Sequence, residues 1–513
     1  MNAKSKMPLE STILDVAIVG AGFGGLCMAI KLKEAGIDNF MIVEKGDDVG
    51  GTWYFNTYPG CACDVQSHLY SYSFAGKPDW TKRYAPWFEI EKYITDVADQ
   101  YQLRSHIRFC DEVHAAQFDQ DTALWTVGTS KGISIRARHV VIATGPLHVP
   151  NIPSIKGLDT FKGKVFHSAQ WDHNYPLIGK RVASIGTGGS AIQYVPEIAP
   201  RVKHLDVYQR TPAWVIPRDE RQYSRLNKYL FERFPALRKL HRSRLYWTNE
   251  SRLWPILNPS IAKAAGSVVK LFIRAQVRDK ALAEKLTPDY TLGCKRILIS
   301  NKYYPAFNRP NVDLITDGIQ EIREHSIVTT DGQVRPVDCI ILGTGFVVDP
   351  RIYMSKFVCT GLDGRKLQDD WKDSAEAYYG AAVSGYPNLW QLVGPNTGLG
   401  HNSIILMIEA QAKYIIQCMS LLKKQNADYM TVNADAQHRF NERVQHQIEH
   451  TVWNSGCHSW YQQESGKNIA LWPWSTWRFM LETRQVKAKD YSFGNAKPIA
   501  ITAKRQGGEV SEG

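Results

Sequence analysis

The chain has 513 residues, 44% of them hydrophobic and 11% aromatic, and a formal net charge of +12. The length exceeds what one hydrophobic core organises and predicts two or three domains, while the apolar content excludes extended disorder. The positive balance calls for anionic partners, but no Lys/Arg run with interleaved aromatics marks a nucleic-acid module, so no nucleic acid is expected.

The first ten residues form a polar lead without signal-peptide organisation. No apolar run approaches the roughly 20 residues of a membrane helix, so a cytoplasmic protein with no integral membrane segment is expected. The nine cysteines are scattered, with no CxxC pair. They predict no metal site and no dithiol centre, only small core residues in a reducing compartment.

Ile13–Val19 reads as a buried strand. It runs into Gly20-Ala21-Gly22-Phe23-Gly24-Gly25, a helix from about Leu26 to Ala35 stopped by Gly36, and a second strand Phe40–Val43 ending at Glu44. Strand, glycine turn, helix, strand, acid is the order of a dinucleotide site. Glycines let the backbone approach a pyrophosphate at the helix N-terminus, and Glu44 suits ribose hydroxyls. The unit recurs: strand Arg181–Ile185, then Gly186-Thr187-Gly188-Gly189-Ser190-Ala191, a helix to about Ala199, and strand His204–Tyr208. Glu44 stands 24 positions after Gly20; the residue 24 positions after Gly186 is Arg210. An acid suits free ribose hydroxyls and a guanidinium suits a 2′-phosphate. The first site is therefore expected to hold FAD and the second to prefer NADPH over NADH. Val140–Gly145 and Cys339–Gly345 echo each other as strand-plus-turn returns beside the two sites.

Between the two units lies Phe161–Asp172, with neither helical period nor alternation. It reads as a buried interdomain connection in which Phe161, Phe166 and Trp171 pack and His167 is hydrogen-bonded. Residues 218–290 break the α/β rhythm as a basic helical insertion, interrupted at Pro235 and Pro255. It reads either as a membrane-facing or substrate-capturing surface, or as a solvated basic face on packed helices. Gly394–Asn402 is a polar loop opening a helix Ile404–Leu422. Five tryptophans between Trp453 and Trp477 predict a packed core or the wall of an apolar pocket. Residues 496–513 are expected to be a disordered tail.

The fold expected is α/β: two Rossmann-like dinucleotide-binding domains with a helical insertion. The FAD domain comprises 1–150 and 347–495, and the NADPH domain 151–217 and 291–346, with the insertion between the latter two segments.

The two glycine motifs bracket Phe161-x-Gly163-x-x-x-His167-x-x-x-Trp171-Asp172. With Gly50-Gly51-Thr52-Trp53-Tyr54, Tyr58-Pro59-Gly60, Cys63-Asp64, Gln209-Arg210-Thr211-Pro212, Gly293-x-Lys295-Arg296 and Gly343-Thr344-Gly345-Phe346, this set closely resembles the Baeyer–Villiger monooxygenases. The resemblance runs from about residue 13 to about 480. It implies an FAD enzyme that uses NADPH and O2 to convert a ketone to an ester or lactone through a flavin peroxide. It implies that Arg296 is the catalytic cation and also a cofactor-binding residue, and that Asp64 orients it. Lys295, Arg210 and Thr211 resemble the 2′-phosphate clamp, and Trp460 a tryptophan near NADP. Thr52, Trp53, Tyr54, Asp64, Tyr70 and Val113 are expected at the FAD, and Gly20, Gly22, Gly24, Gly25 and Gly186–Ala191 at the phosphates. His167 and Trp171 are expected to govern how the two halves move.

The nearest rival is a flavin monooxygenase oxidising nitrogen or sulfur, which the same enzyme would also perform on thioethers. A non-catalytic flavoprotein or membrane-associated carrier is disfavoured by the Asp64/Arg296 contexts. A disulfide reductase is disfavoured by the absence of a cysteine pair after the first site.

Overall fold

The computed structural model describes residues 13–457, 459–463 and 465–497. The polar lead lies outside this range. Ala496 and Lys497, assigned to the tail by the sequence, instead donate backbone hydrogen bonds to Asp428 and Asp121, both at 2.9 Å. The remainder of the expected tail lies outside the described residues.

Two sheets organise the chain. In the first, Ile13–Val19 pairs in parallel with Phe40–Val43 on one side and with Ser134–Ile142 on the other. The sheet continues antiparallel through Leu124–Thr129 and Val113–Asp119. Late segments return to it: Val358–Thr360 pairs with Val113–Asp119, and Leu389–Gln391 with Ser134–Ile142. The second sheet is wholly parallel, in the order Val312–Ile315, His204–Tyr208, Arg181–Ile185, Cys339–Leu342, Lys164–His167. Its three central strands are buried over Val182–Ile185, Leu205–Tyr208 and Cys339–Leu342, as a sheet covered on both faces requires.

The duplication seen in the sequence extends to individual hydrogen bonds. Gly20 donates to Val43 at 2.8 Å, and Ala143 donates to Val19 at 2.9 Å. In the second unit Gly186 donates to Tyr208 at 3.0 Å, and Gly343 donates to Ile185 at 2.8 Å. Gly20 and Gly186 have φ of +102° and +106°. Each turns its strand toward a helix in a conformation that side-chain-bearing residues avoid. The two strand-plus-turn echoes thus occupy matching places.

The first helix spans Phe23–Glu34, three residues earlier than its composition suggests, because packing of Phe23 and Leu26 outweighs the low propensity of Gly24 and Gly25. The segment Phe161–Asp172 is more than a connection. Lys164–His167 is the edge strand of the second sheet, in register with Cys339–Leu342. Four residues are too few to display a period. Phe161 and Phe166 are buried as expected, and His167 is 1% exposed, its Nδ1 accepting the Ala169 amide at 3.1 Å. Burial lowers the His167 pKa, so the ring is held neutral.

The insertion is helical over Arg225–Arg233, Pro235–Ser251, Leu253–Leu257, Pro259–Gln276 and Lys280–Lys285. Pro235 and Pro259 each occupy a first helical position, where the missing N–H costs nothing. Arg242 fixes the insertion to the first domain, its Nη1 donating to the carbonyls of His68 at 2.6 Å and Ser71 at 2.9 Å. The helix Ile404–Lys424 is long and apolar enough to cross a membrane by composition. It is instead a core helix packed on Phe23–Glu34, and its Glu409 accepts from the Ser73 amide at 2.7 Å and hydroxyl at 2.6 Å.

Candidate active site

The first glycine loop is built backbone against backbone. A Cβ on Gly25 would lie 1.8 Å from the Gly20 carbonyl oxygen, and one on Gly51 would lie 2.9 Å from Gly22 Cα. Gly24 faces Ala143 at 3.3 Å in the same terms. The loop therefore exposes bare backbone at the start of Phe23–Glu34, the surface a pyrophosphate approaches. Glu44 is buried beneath it, accepting from Ala21 N and Gly46 N, each at 2.7 Å. Each of its oxygens retains a further lone pair for ribose hydroxyls. Cys110 and Asp111 donate to the carbonyls of Gly46 and Glu44, which brings Val113 close to this end of the loop. These residues fit a dinucleotide without a 2′-phosphate.

Thr52, Trp53 and Tyr54 form one helical turn after Gly51. Trp53 Nε1 donates to the Tyr70 hydroxyl at 3.1 Å, and burial raises the Tyr70 pKa, so the phenol stays protonated. Tyr54 donates to Asp47.

In the second cradle a Cβ on Gly186 would lie 2.4 Å from the Gly343 carbonyl oxygen, whereas one on Gly188 meets no atom within 4 Å. That open space lies before the helix Ala191–Ile198. A Cβ on Gly189 would meet only Leu298 Cδ2, at 3.8 Å, and the Ser190 side chain does not cap the helix. A Cβ on Gly343 would lie 3.4 Å from the Ala191 methyl, so Ala191 packs against the returning strand-plus-turn of its own unit. Thr187 Oγ1 donates to the Thr211 carbonyl at 3.2 Å, tying the loop to Arg210–Thr211. Arg210 is exposed, and its charge, after burial, depresses the Lys295 pKa. Neither Arg210 nor Lys295 has an ion-pair partner among the described residues, although Lys295 Nζ lies 4.9 Å from the Tyr290 ring centroid. Two neighbouring cations that form no ion pair fit a phosphate.

Arg296 and Asp64 meet between these cradles. Arg296 precedes strand Leu298–Ile299, which pairs with Val215–Ile216 just after the Arg210–Thr211 clamp. Asp64 follows the Tyr58–Cys63 loop of the first unit. Arg296 Nη2 donates to Asp64 Oδ2 across 232 sequence positions. The Asp64 charge raises the Arg296 pKa further, fixing the guanidinium as a cation that remains partly open to solvent. Tyr461 lies within the field of Arg296 and is itself buried. Its neighbour Trp460 is half-exposed and packs on it, with centroids 4.3 Å apart. The clamp, the pair and the tryptophan segment are thus assembled around one region.

One expectation is corrected here. Cys294 and Cys457 form a disulfide, with Cα atoms 6.3 Å apart and a sequence separation of 163. The other seven cysteines are free; six are buried and Cys110 is exposed. No spacing rule pairs cysteines so distant, because only the tertiary fold brings them together. The bond ties the Arg296 segment to the tryptophan loop. Reduction should release that loop. Trypsin cleavage at Lys467 is expected to accelerate about 30-fold under dithiothreitol, from roughly 2 kcal/mol of lost constraint. Equal cleavage rates in both conditions would show that the bond restrains nothing.

A family model for pyridine nucleotide-disulphide oxidoreductases matches residues 17–250. A Baeyer–Villiger monooxygenase of Pseudomonas aeruginosa is 46% identical over 498 residues, covering 96% of this chain and 94% of its own. The chain belongs to the Baeyer–Villiger monooxygenase family. A second member, from Streptomyces coelicolor, is 44% identical over 494 residues, covering 95% of this chain and 94% of its own. Among solved structures, an oxidised steroid monooxygenase bound to NADP superposes with a TM-score of 0.85 at 30% identity, covering 94% of this chain and 100% of that one. Cyclohexanone monooxygenase from Rhodococcus sp. Phi1 bound to NADP+ matches with a TM-score of 0.85 at 26% identity, covering 94% and 100%.

Burial pushes the Cys61 thiol up to about 12, and Cys63 upward as well, so neither forms a thiolate near neutrality. Two contributors escaped the sequence reading. Gln193, on the helix of the second cradle, accepts from Tyr58 at 3.0 Å and donates to the Ala62 carbonyl at 3.0 Å, joining that helix to the Asp64 loop. Glu250 of the insertion accepts from Asn402 Nδ2 at 2.8 Å and from Thr476, joining insertion, late loop and C-terminal segment. A polar residue early on a mostly apolar helix was the signal available for Gln193.

Proposed function

We propose that this monooxygenase holds FAD in the first cradle and NADPH in the second and converts an apolar ketone to an ester or lactone. The observation that carries the reading is the Arg296–Asp64 pair formed between the two cradles. When bound, the flavin takes a hydride from NADPH and activates O2 for transfer of one oxygen atom. The chain supplies binding, orientation and charge. Arg296 provides a fixed cation where negative charge develops on the ketone oxygen, and Asp64 holds that cation in one orientation. Gly20, Gly22, Gly24, Gly25, Glu44, Thr52, Trp53, Tyr54, Tyr70 and Val113 would hold FAD. Gly186–Ala191, Arg210, Thr211, Lys295 and Trp460 would hold NADPH.

The return of Val358–Thr360 and Leu389–Gln391 to the first sheet supports a discontinuous FAD domain of 1–150 and 347–495. The place of Cys339–Leu342 in the second sheet supports an NADPH domain of 151–217 and 291–346. An apolar substrate is supported by Trp453, buried beside Gly400 and insertion residue Ile256, each within 3.3 Å of where a Gly400 Cβ would lie. Use of NADPH supports the cytoplasm as its place of work.

Arg210→Ala should raise KM for NADPH about 10- to 100-fold, as expected for a lost charge-assisted phosphate contact, with kcat and KM for NADH little changed. Steady-state kinetics with both cofactors check this; an equal effect on NADH would remove Arg210 from the 2′-phosphate site. A panel of ketones and thioethers, with NADPH consumption and products identified by mass, tests the substrate class. Sulfoxides without any ester would favour the sulfur-oxidising reading.

A further inference from the structure

On Pro259–Gln276, the stripe Ala262, Gly266, Val269 and Ile273 faces inward. A second apolar stripe, Ile261, Val268 and Leu271, faces outward, with Val268 and Leu271 67% and 65% exposed. Exposed Lys263, Lys270 and Arg274 flank it. On Pro235–Ser251 the outward stripe is Leu237, Leu240 and Trp247, continued by Trp254 on the next short helix. Leu240, Trp247 and Trp254 are 67%, 58% and 67% exposed. The spacings of 3 and 7 keep each set on one helical face. Solvated helices expose single apolar residues, not repeated stripes containing two tryptophans.

The charge of the same region selects the occupant. Residues 225–276 contain eleven Lys and Arg against two acids, Glu232 and Glu250, a net of +9. Glu250 and Arg242 both turn inward, so their charges cancel and the outer face keeps the net of +9. A second copy docked through a two-fold axis would place this charge against itself. An anionic phospholipid surface complements it, at about 1 kcal/mol per basic residue near the headgroups, and accepts Trp and Leu at the acyl boundary. The chain bends by 106° between the helices spanning 235–257 and 259–276, and cations recur along both. That geometry suits helices lying on a bilayer, not crossing it.

We propose that the outer face of the insertion docks this enzyme reversibly on an anionic phospholipid bilayer. The inner face is already fixed to the first domain: Arg242 binds the His68 and Ser71 carbonyls, and Asn249 donates to Gln66 at 2.9 Å. These partners follow Asp64 within a few residues. Docking therefore sets the catalytic region at a defined distance from the surface in which apolar ketones dissolve.

The test is co-sedimentation of the full-length FAD-loaded enzyme with vesicles of phosphatidylcholine alone or mixed with phosphatidylglycerol. At least tenfold stronger binding to the anionic vesicles is expected at low salt, lost at high salt. Leu240→Ser/Trp247→Ser/Trp254→Ser should cut that binding about tenfold or more while turnover of a water-soluble ketone is unchanged. Lys263→Gln/Lys270→Gln/Arg274→Gln, which spares the apolar residues, should weaken binding to anionic vesicles specifically. Absence of binding at low salt, equal binding to both vesicle types, or parent-like binding by both triple variants would overturn the proposal. A concentration-dependent dimer in gel filtration that the Leu240 variant abolishes would assign the face to a second copy instead.

Discussion

Replacing Arg296 by alanine is expected to lower ester formation about 10²- to 10³-fold, or roughly 2.7–4 kcal/mol of transition-state stabilisation, the scale for one preorganised charge donor. FAD should remain bound, because the residues of the first cradle do not include Arg296. NADPH should still be consumed, with the oxygen appearing as hydrogen peroxide. Arg296→Lys should recover little. A lysine keeps the charge but lacks the planar fork that holds Asp64 and still presents donors to the ketone oxygen. Asp64→Asn should fall between parent and Arg296→Ala, since it loosens the guanidinium without removing it. Product quantification beside NADPH consumption separates these variants; ketone oxidation unchanged in Arg296→Ala would remove the cation from the chemistry.

Gly25→Ala should yield protein without its yellow cofactor. The added methyl would sit 1.8 Å from the Gly20 carbonyl oxygen, a backbone atom held by the strand that donates Gly20 N to Val43. Relief requires the helix Phe23–Glu34 to retreat from the loop, which costs about 1–3 kcal/mol or more of packing and opens the pyrophosphate cradle. Gly188→Ala provides the contrast. Its methyl meets no protein atom, so folding and FAD content should be normal, while the methyl occupies the space before the second helix and weakens NADPH. The ratio of flavin to protein, measured on both variants, decides. A yellow Gly25→Ala protein with full occupancy would show that the loop rearranges at little cost.

Much of this architecture was legible because the signals are local. A strand, a glycine turn and a helix occupy consecutive residues, and the Glu44/Arg210 difference falls at one matched spacing. The strand-plus-turn echoes were legible for the same reason, and the hydrogen bonds of Ala143 and Gly343 show how closely they correspond. Other elements had no local signature. Lys164–His167 becomes a strand only because Cys339–Leu342 offers an edge to pair with. Cys294 and Cys457 meet through the packing of two loops that the sequence separates by 163 residues. Gln193 acquires its role from the Tyr58–Ala62 loop of another domain. The Arg296–Asp64 contact is equally long-range; family motifs pointed to it, and periodicity did not. The exposure of Trp247 and Trp254 on the insertion likewise had no local signature.

The measurement that bears most directly on the central claim is turnover of a ketone under isotopically heavy O2 with purified FAD-loaded enzyme and NADPH. The account predicts an ester or lactone carrying one heavy oxygen atom per molecule, formed with one NADPH consumed. NADPH consumption that yields only hydrogen peroxide across the ketone panel, or product whose new oxygen comes from water, would contradict it.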